Sequence, residues 1–140
     1  MMPVLLGVLS GLLLWAAFPP LGLGALVFVA PAPFLIGVRR AASGHQAVLV
    51  GLAFGISFFG PLLEWITEMG VIAWAPLVFI ESLFPASFAW MLFRMRNRPG
   101  WQWMGLVVGG WAFTELARSY LPVGGFTWGW LGYAVSGFAG

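Results

Sequence analysis

The sequence lacks cysteine, lysine and aspartate altogether, and its few charges are six arginines and four glutamates among 140 residues. Without cysteine the chain has no disulfide framework, no cysteine metal site and no thiol nucleophile. Only 7% of the residues are charged, against about 25% in an ordinary soluble domain, while 61% are hydrophobic. Such a chain has too little polar surface for a soluble domain and too much apolar surface for a disordered one. The composition therefore indicates an integral membrane protein.

Five apolar stretches are predicted to be membrane spans, since a helix needs about 20 mostly apolar residues to cross a bilayer. The first two are short, and a re-entrant hairpin is the alternative for them. A signal peptide is a weaker alternative for the first, because a basic start and a cleavage site are lacking. A Gly- and aromatic-rich segment follows and is predicted to be re-entrant or interfacial. The predicted fold is an all-α polytopic membrane bundle that forms one transmembrane domain over residues 1–140. The predicted spans are at about 4–18, 23–38, 46–69, 71–93 and 102–121. An outer-face segment is predicted at 123–140.

Five of the six arginines fall in two clusters, Arg39-Arg40 and Arg94/Arg96/Arg98. Two predicted spans separate the clusters, so both lie on one side of the membrane. Short basic loops face the cytoplasm, which predicts a cytoplasmic N-terminus and an outer location for the chain after Leu121.

Small residues and prolines predict how the helices pack. Glycines lie four apart at three places, and this spacing lets two helix backbones approach closely in lipid; chance is the alternative in a chain with 20 glycines. Five prolines inside apolar runs are expected to kink or break helices. The glycine pairs are Gly7/Gly11, Gly51/Gly55 and Gly105/Gly109, and the prolines are Pro31, Pro33, Pro61, Pro76 and Pro85.

Besides the two glutamates that end the third span, three charged residues lie inside predicted spans; a charge costs about 2.5–3.5 kcal/mol at mid-bilayer and is a functional candidate there. Glu115 and Arg118 are three apart and are expected to pair on one helix face, with Trp111 on the same stripe. A structural ion pair is favoured there over a catalytic role. Glu81 is the deepest and has no partner nearby in the sequence. It is expected to be protonated, bonded to Ser82 or a backbone carbonyl, or directed into a polar cavity.

The remaining polar residues suggest solvation rather than chemistry. Glu64 and Glu68 end the third span on one predicted face beside Trp65, at the outer interface. His45 is interpreted as a solvated loop residue. No metal-ligand spacing, catalytic elbow or phosphate-binding loop occurs in the sequence. No catalytic residue, metal or cofactor is therefore predicted for these residues, and no nucleic-acid partner.

Four segments, in order, resemble the membrane region of apolipoprotein N-acyltransferase. They are AAFPPLGLGALVFVAPAPFL, GLAFGISFFGPLLEWI, LFPASFAWMLFR and WAFTELARSYLPVGGFTWGWLGYA. The last is the most specific, and its matching positions are Trp111, Thr114, Glu115, Arg118, Gly125, Phe126, Trp128, Gly132 and Tyr133. Two positions depart from the family pattern: Thr127 stands where proline is expected, and Glu81 has no counterpart in it.

The resemblance implies a bacterial inner-membrane enzyme that moves an acyl chain from a phospholipid to the N-terminal cysteine amine of a diacylated lipoprotein. In that family a Cys nucleophile, a Glu base and a Lys belong to a nitrilase-like domain outside the membrane. These 140 residues resemble only the membrane domain, so the chain is expected to be a fragment and inactive alone. The outer segment, through Gly125, Phe126, Trp128 and Tyr133, is expected to line the mouth of a lipid groove.

Other functions stay open on the sequence alone. A related membrane domain acts as a scaffold for some polyprenol-phosphate mannosyltransferases. A small transporter would use Glu81, Glu115 and Arg118 in a polar path, but no internal repeat supports it. A structural membrane protein without chemistry is the third alternative.

Overall fold

The computed structural model describes residues 1–121 and 127–136, and all regular structure in these residues is helical. This confirms the predicted all-α fold class. The helices are α1 (Met2–Ala16), α2 (Pro31–Arg40), α3 (Gly44–Leu62), α4 (Val71–Arg94), α5 (Gly100–Tyr120) and α6 (Leu131–Ser136), with 3₁₀ segments at Gly24–Phe28 and Glu64–Met69.

Helices α3 and α4 are long and apolar enough to cross a membrane. At 1.5 Å per residue they extend about 28 and 36 Å, against a hydrocarbon core of about 30 Å. Many large apolar side chains are exposed on the bundle, among them Phe28, Ile72 and Phe113. Lipid accommodates such a surface and water does not, so the bundle is a membrane protein, while the number of spans stays a prediction.

The predicted span at 23–38 is divided into a 3₁₀ segment and the short helix α2. Pro31 opens α2, as expected of a residue that fits the first helical turn but cannot continue a preceding helix. The ten residues of α2 extend only about 15 Å, half of the hydrocarbon thickness. Helix α4, in contrast, continues through Pro76 and Pro85, so the expected break does not occur there.

Helix α3 is the centre of the bundle because glycines let both of its neighbours approach closely. A Cβ on Gly7 of α1 would lie 2.5 Å from the carbonyl oxygen of Val50, and a Cβ on Gly11 would overlap the backbone of Phe54. On the other side of α3, a Cβ on Gly55 would lie 2.6 Å from the Cα of Ser82 in α4. Two of the three predicted glycine faces are therefore confirmed.

The third glycine pair is not a contact face within the described residues. A Cβ on Gly105 or Gly109 would meet nothing within 4 Å. The close glycine of α5 is instead Gly110, whose Cβ would lie 2.7 Å from side-chain atoms of Phe88 and Met91. Helix α5 therefore contacts α4 through side chains rather than backbone to backbone. It is packed less tightly against α4 than α3 is.

An aromatic cluster fills the space between α2, α3, α4 and α5. The ring of Phe34 lies 5.1 Å from that of Phe54 and 5.9 Å from that of Phe88. Trp111 of α5 packs edge-on against Phe54 and Phe88, at 5.9 and 5.8 Å. Phe54, Phe88 and Trp111 also line the small cavity beside Glu115 and Arg118.

We predict that Gly51→Ala destabilises the bundle and that Gly109→Ala does not. The added methyl at Gly51 would lie 2.5 Å from the Cα of Ala86, and such overpacking costs about 1–3 kcal/mol. At Gly109 the methyl meets open space, and alanine favours the helix by about 0.5–1 kcal/mol. Thermal unfolding of the purified chain in detergent compares the two, and equal midpoints would show that α3 and α4 do not pack as described.

Candidate functional site

A buried ion pair joins α4 to α5. Nη1 of Arg118 lies 2.8 Å from Oε2 of Glu81, and the two residues are 3% and 0% exposed. They are 37 positions apart in the sequence, on different helices. The pair therefore depends on the way α5 crosses α4.

Burial explains why these two charges meet. An isolated charge in an apolar interior is very unfavourable, so it is found paired or neutral. Ser82, next to Glu81, donates its hydroxyl hydrogen bond to the Val78 carbonyl instead, and so leaves the carboxylate to Arg118. Oε1 of Glu81 has no hydrogen-bond donor among the described residues. Among the described residues, Arg118 is therefore the hydrogen-bond donor to the Glu81 carboxylate.

Arg118 also holds the chain that follows α5. The same Nη1 atom donates a hydrogen bond to the Trp128 carbonyl, at 3.0 Å. The guanidinium carbon lies 4.9 Å from the ring centroid of Phe59 in α3, within the range of a cation–π contact. One guanidinium therefore contacts α3, α4 and the segment that begins at residue 127.

The expected pairing of Glu115 with Arg118 is wrong. Oε1 of Glu115 accepts a hydrogen bond of 3.1 Å from the backbone N–H of Leu131, the first residue of α6. A carboxylate is favourable at a helix N-terminus, where N–H groups lack partners within the helix. The expectation that Glu81 bonds to Ser82 or to a backbone carbonyl is also not met, because Arg118 reaches it across the bundle.

Gly129 brings the same segment onto the end of α3. Its φ of 87° lies in the region that favours glycine, and a Cβ there would lie 2.9 Å from Leu62. Beside it, the rings of Trp65 and Trp128 are 5.8 Å apart, and both residues are about half exposed. Residues 127–131 are therefore packed against α3 as well as bonded to α5.

The other predicted residues show no contact with the pair or are outside the described part of the structure. Glu64 and Glu68 are exposed as expected, but they belong to a 3₁₀ segment. With three residues per turn, positions four apart do not share a face, so that expectation is wrong. Gly125 and Phe126 lie outside the described residues. The backbone of Tyr133 belongs to α6, and its side chain is outside the described part.

Two apolar hollows lie along the exposed side of α4. The first, about 290 Å³, lies between α4 and α5, and the second, about 400 Å³, extends toward Leu121 at the end of α5. They share Phe84 and Ser87, so they form one groove, which we call the α4–α5 groove. Its volume is in the range of small-ligand pockets. The cavity beside Arg118, by contrast, is about 20 Å³, room for about one water molecule.

Sequence reasoning expected a lipid groove but did not place it between α4 and α5, and it missed the partner of Glu81. The groove forms because of the distance between α4 and α5, and no pattern in the sequence predicts that distance. The ion pair had a usable signal: Glu81 and Arg118 are charges of opposite sign within apolar stretches, and each needs a partner. Trp111 was placed correctly, because it lines the same small cavity as Glu115 and Arg118.

Comparison with known proteins gives a consistent similarity. Residues 10–139 match the family model described as the apolipoprotein N-acyltransferase N-terminal domain. Proteins named apolipoprotein N-acyltransferase are similar to the chain: 30% identity over 89% of the chain in Nitrosomonas europaea, 32% over 92% in Geobacter metallireducens and 36% over 66% in Mycolicibacterium smegmatis. The matched regions are 28%, 26% and 16% of those proteins, so the chain spans about a quarter of their length or less.

We predict that Glu81→Leu and Arg118→Met are each destabilising but are not additive. Removing one partner leaves a buried unpaired charge, at a cost of about 3–5 kcal/mol, whereas an apolar replacement of both is often nearly neutral. Unfolding of the two single variants and the double variant in detergent gives the coupling free energy. Additive losses would contradict the pair.

Proposed function

Because the chain belongs to the apolipoprotein N-acyltransferase family, as its N-terminal domain, we propose that it is the membrane domain of a bacterial lipoprotein-maturation enzyme. The observation that carries the proposal is the family match, which covers all but ten of the 140 residues. The domain is proposed to be multi-pass in the cytoplasmic membrane, with its N-terminus in the cytoplasm.

The proposed reaction transfers an acyl chain from a phospholipid to the α-amino group of the N-terminal cysteine of a diacylated lipoprotein. Acyl transfer through a covalent intermediate needs a nucleophile, and the chain contains no cysteine. The role of these residues is therefore to bind and orient lipid, and they are inactive alone. Both substrates carry long acyl chains, and a membrane bundle can bind these chains without exposing them to water.

The α4–α5 groove is the proposed place for one of these acyl chains. Its walls are mostly apolar, it opens on the lipid-facing side of α4, and it extends to Leu121. An acyl chain in it would direct its head group toward the end of α5, where the outer segment follows. Loose packing of α5 against α4 is what leaves the groove open.

Arg118 and Glu81 are proposed to position the outer segment rather than to react. The hydrogen bond from Arg118 to the Trp128 carbonyl and that from Leu131 to Glu115 fasten this segment at two points. The outer mouth of the groove is proposed to be bordered by this segment, through Trp128 together with Gly125, Phe126 and Tyr133.

We predict that Ser87→Trp, in a full-length protein carrying this domain, raises the KM for phospholipid about tenfold, equivalent to about 1.4 kcal/mol. The indole would occupy the groove that Ser87 lines. Leu9→Trp is the matched control, because Leu9 is also exposed but lies on α1, which packs against α2 and α3. Mass spectrometry of a diacylated lipoprotein peptide incubated with phospholipid measures N-acylation.

The outcomes separate the two parts of the proposal. An unchanged KM in the Ser87→Trp protein would contradict the role of the groove while leaving the activity. Absence of N-acylation by the unsubstituted full-length protein would contradict the proposed function itself.

A further inference from the structure

Five of the six arginines gather at one end of the bundle. Arg39 and Arg40 end α2, Arg94 ends α4, and Arg96 and Arg98 lie in the connection to α5. All of them are exposed except Arg96, which is partly buried. We call this group the arginine end.

Contacts between the helices join the two sequence clusters into one surface. The guanidinium carbon of Arg39, from α2, lies 4.0 Å from the ring centroid of Trp103 in α5. A Cβ on Gly44, at the start of α3, would lie 3.4 Å from Trp90 and 3.8 Å from Phe93 of α4. The ends of α2 and α4 and the starts of α3 and α5 therefore meet at the same place.

Aromatic rings hold three of these guanidinium groups. Besides Arg39 on Trp103, the guanidinium carbon of Arg96 lies 3.7 Å from the Phe93 centroid and that of Arg94 lies 5.5 Å from the Trp90 centroid. A ring contact leaves the N–H groups at the guanidinium edge free to donate in a planar fork, which suits bidentate binding of phosphate oxygens.

The arginine end has no counter-charge in the described part of the chain, where the single ion pair is that of Arg118 with Glu81. Glu115 bonds to Leu131. Glu64 and Glu68 precede α4, at the end of that helix opposite to Arg94. The two ends of the bundle therefore differ in charge, and the arginine end can bind an anionic partner from outside the chain.

The position of the arginine end favours lipid as that partner. Among the described helices, α3 and α4 are long and apolar enough to span a membrane; α3 begins at Gly44 and α4 ends at Arg94. The arginines are thus at the level of the head groups, where tryptophan also accumulates. Clusters of four to eight basic residues at this level attract anionic lipids.

We propose that the arginine end is a binding site for anionic phospholipid head groups, whose phosphate oxygens accept hydrogen bonds from Arg39, Arg94 and Arg96. The site is independent of the proposed acyl transfer. The arginine end and the 3₁₀ segment that begins at Glu64 lie at opposite ends of α4. Free phosphate shares the recognised chemistry, but only a lipid also places its acyl chains along the exposed apolar faces of the same helices.

The purified chain in non-ionic detergent tests this site by native mass spectrometry, with dioleoyl phosphatidylglycerol and dioleoyl phosphatidylcholine in competition. Each arginine near a membrane surface strengthens anionic-lipid binding by about fivefold, so the chain is expected to retain phosphatidylglycerol at least tenfold over phosphatidylcholine. The preference is expected to disappear in R39Q/R94Q/R96Q and to persist in part in R39K/R94K/R96K. E64Q/E68Q is the control at the other end and is expected to keep it.

Three results would overturn the proposal: no preference for phosphatidylglycerol in the unsubstituted chain, a full preference in the glutamine variant, or equal competition by soluble glycerol phosphate. The salt dependence of lipid retention by the unsubstituted chain needs no variant, so it remains decisive if the glutamine variant fails to fold. The preference must fall as sodium chloride is raised from 0.05 to about 0.5 M, since screening weakens exposed charge interactions; a salt-independent preference would contradict it.

Discussion

The placement of α5 and of residues 127–131 depends on one guanidinium. Arg118 contacts the Glu81 carboxylate, the Trp128 carbonyl and the Phe59 ring, and so joins α5 to α4, to α3 and to the outer segment. Helix α5 has few close backbone contacts of its own, because its glycines at 105 and 109 meet open space. A buried charge must be paired, and that requirement fixes an element which apolar packing alone leaves loose.

The bundle therefore has a tightly packed part and a loosely packed part. Helices α1, α3 and α4 pack backbone to backbone through glycines and form the closely packed part of the domain. Helix α5 is attached by the ring of Trp111 and, near its end, by Arg118 and Glu115, and the α4–α5 groove lies beside it between Gly110 and Leu121. Charge follows the same arrangement: Glu81 is buried and bonded to Arg118, Glu64 and Glu68 precede α4, and five arginines lie toward the opposite end of that helix.

The sequence predicted the features that depend on local pattern. Helix α4 was predicted to within a residue, because its apolar run is bounded by Gly70 and Arg94. Two glycine faces were predicted correctly from spacing, but spacing alone could not show that the face at Gly105 meets no helix. The pairing of Glu81 with Arg118 was missed, because Glu115 is nearer to Arg118 along the chain and only the crossing of α4 and α5 decides which carboxylate Arg118 meets. The division of the segment at 23–38 follows from Pro31 in retrospect.

Crosslinking across the outer end tests the central role of Arg118 most directly. The chain has no cysteine, so W65C/W128C places the only two thiols where the tryptophan rings lie 5.8 Å apart. A short bifunctional maleimide should join them efficiently when Arg118 is present. Adding R118M should lower the yield several-fold at equal folded protein, because the Trp128 carbonyl loses its donor. An equal yield with and without Arg118 would contradict the account.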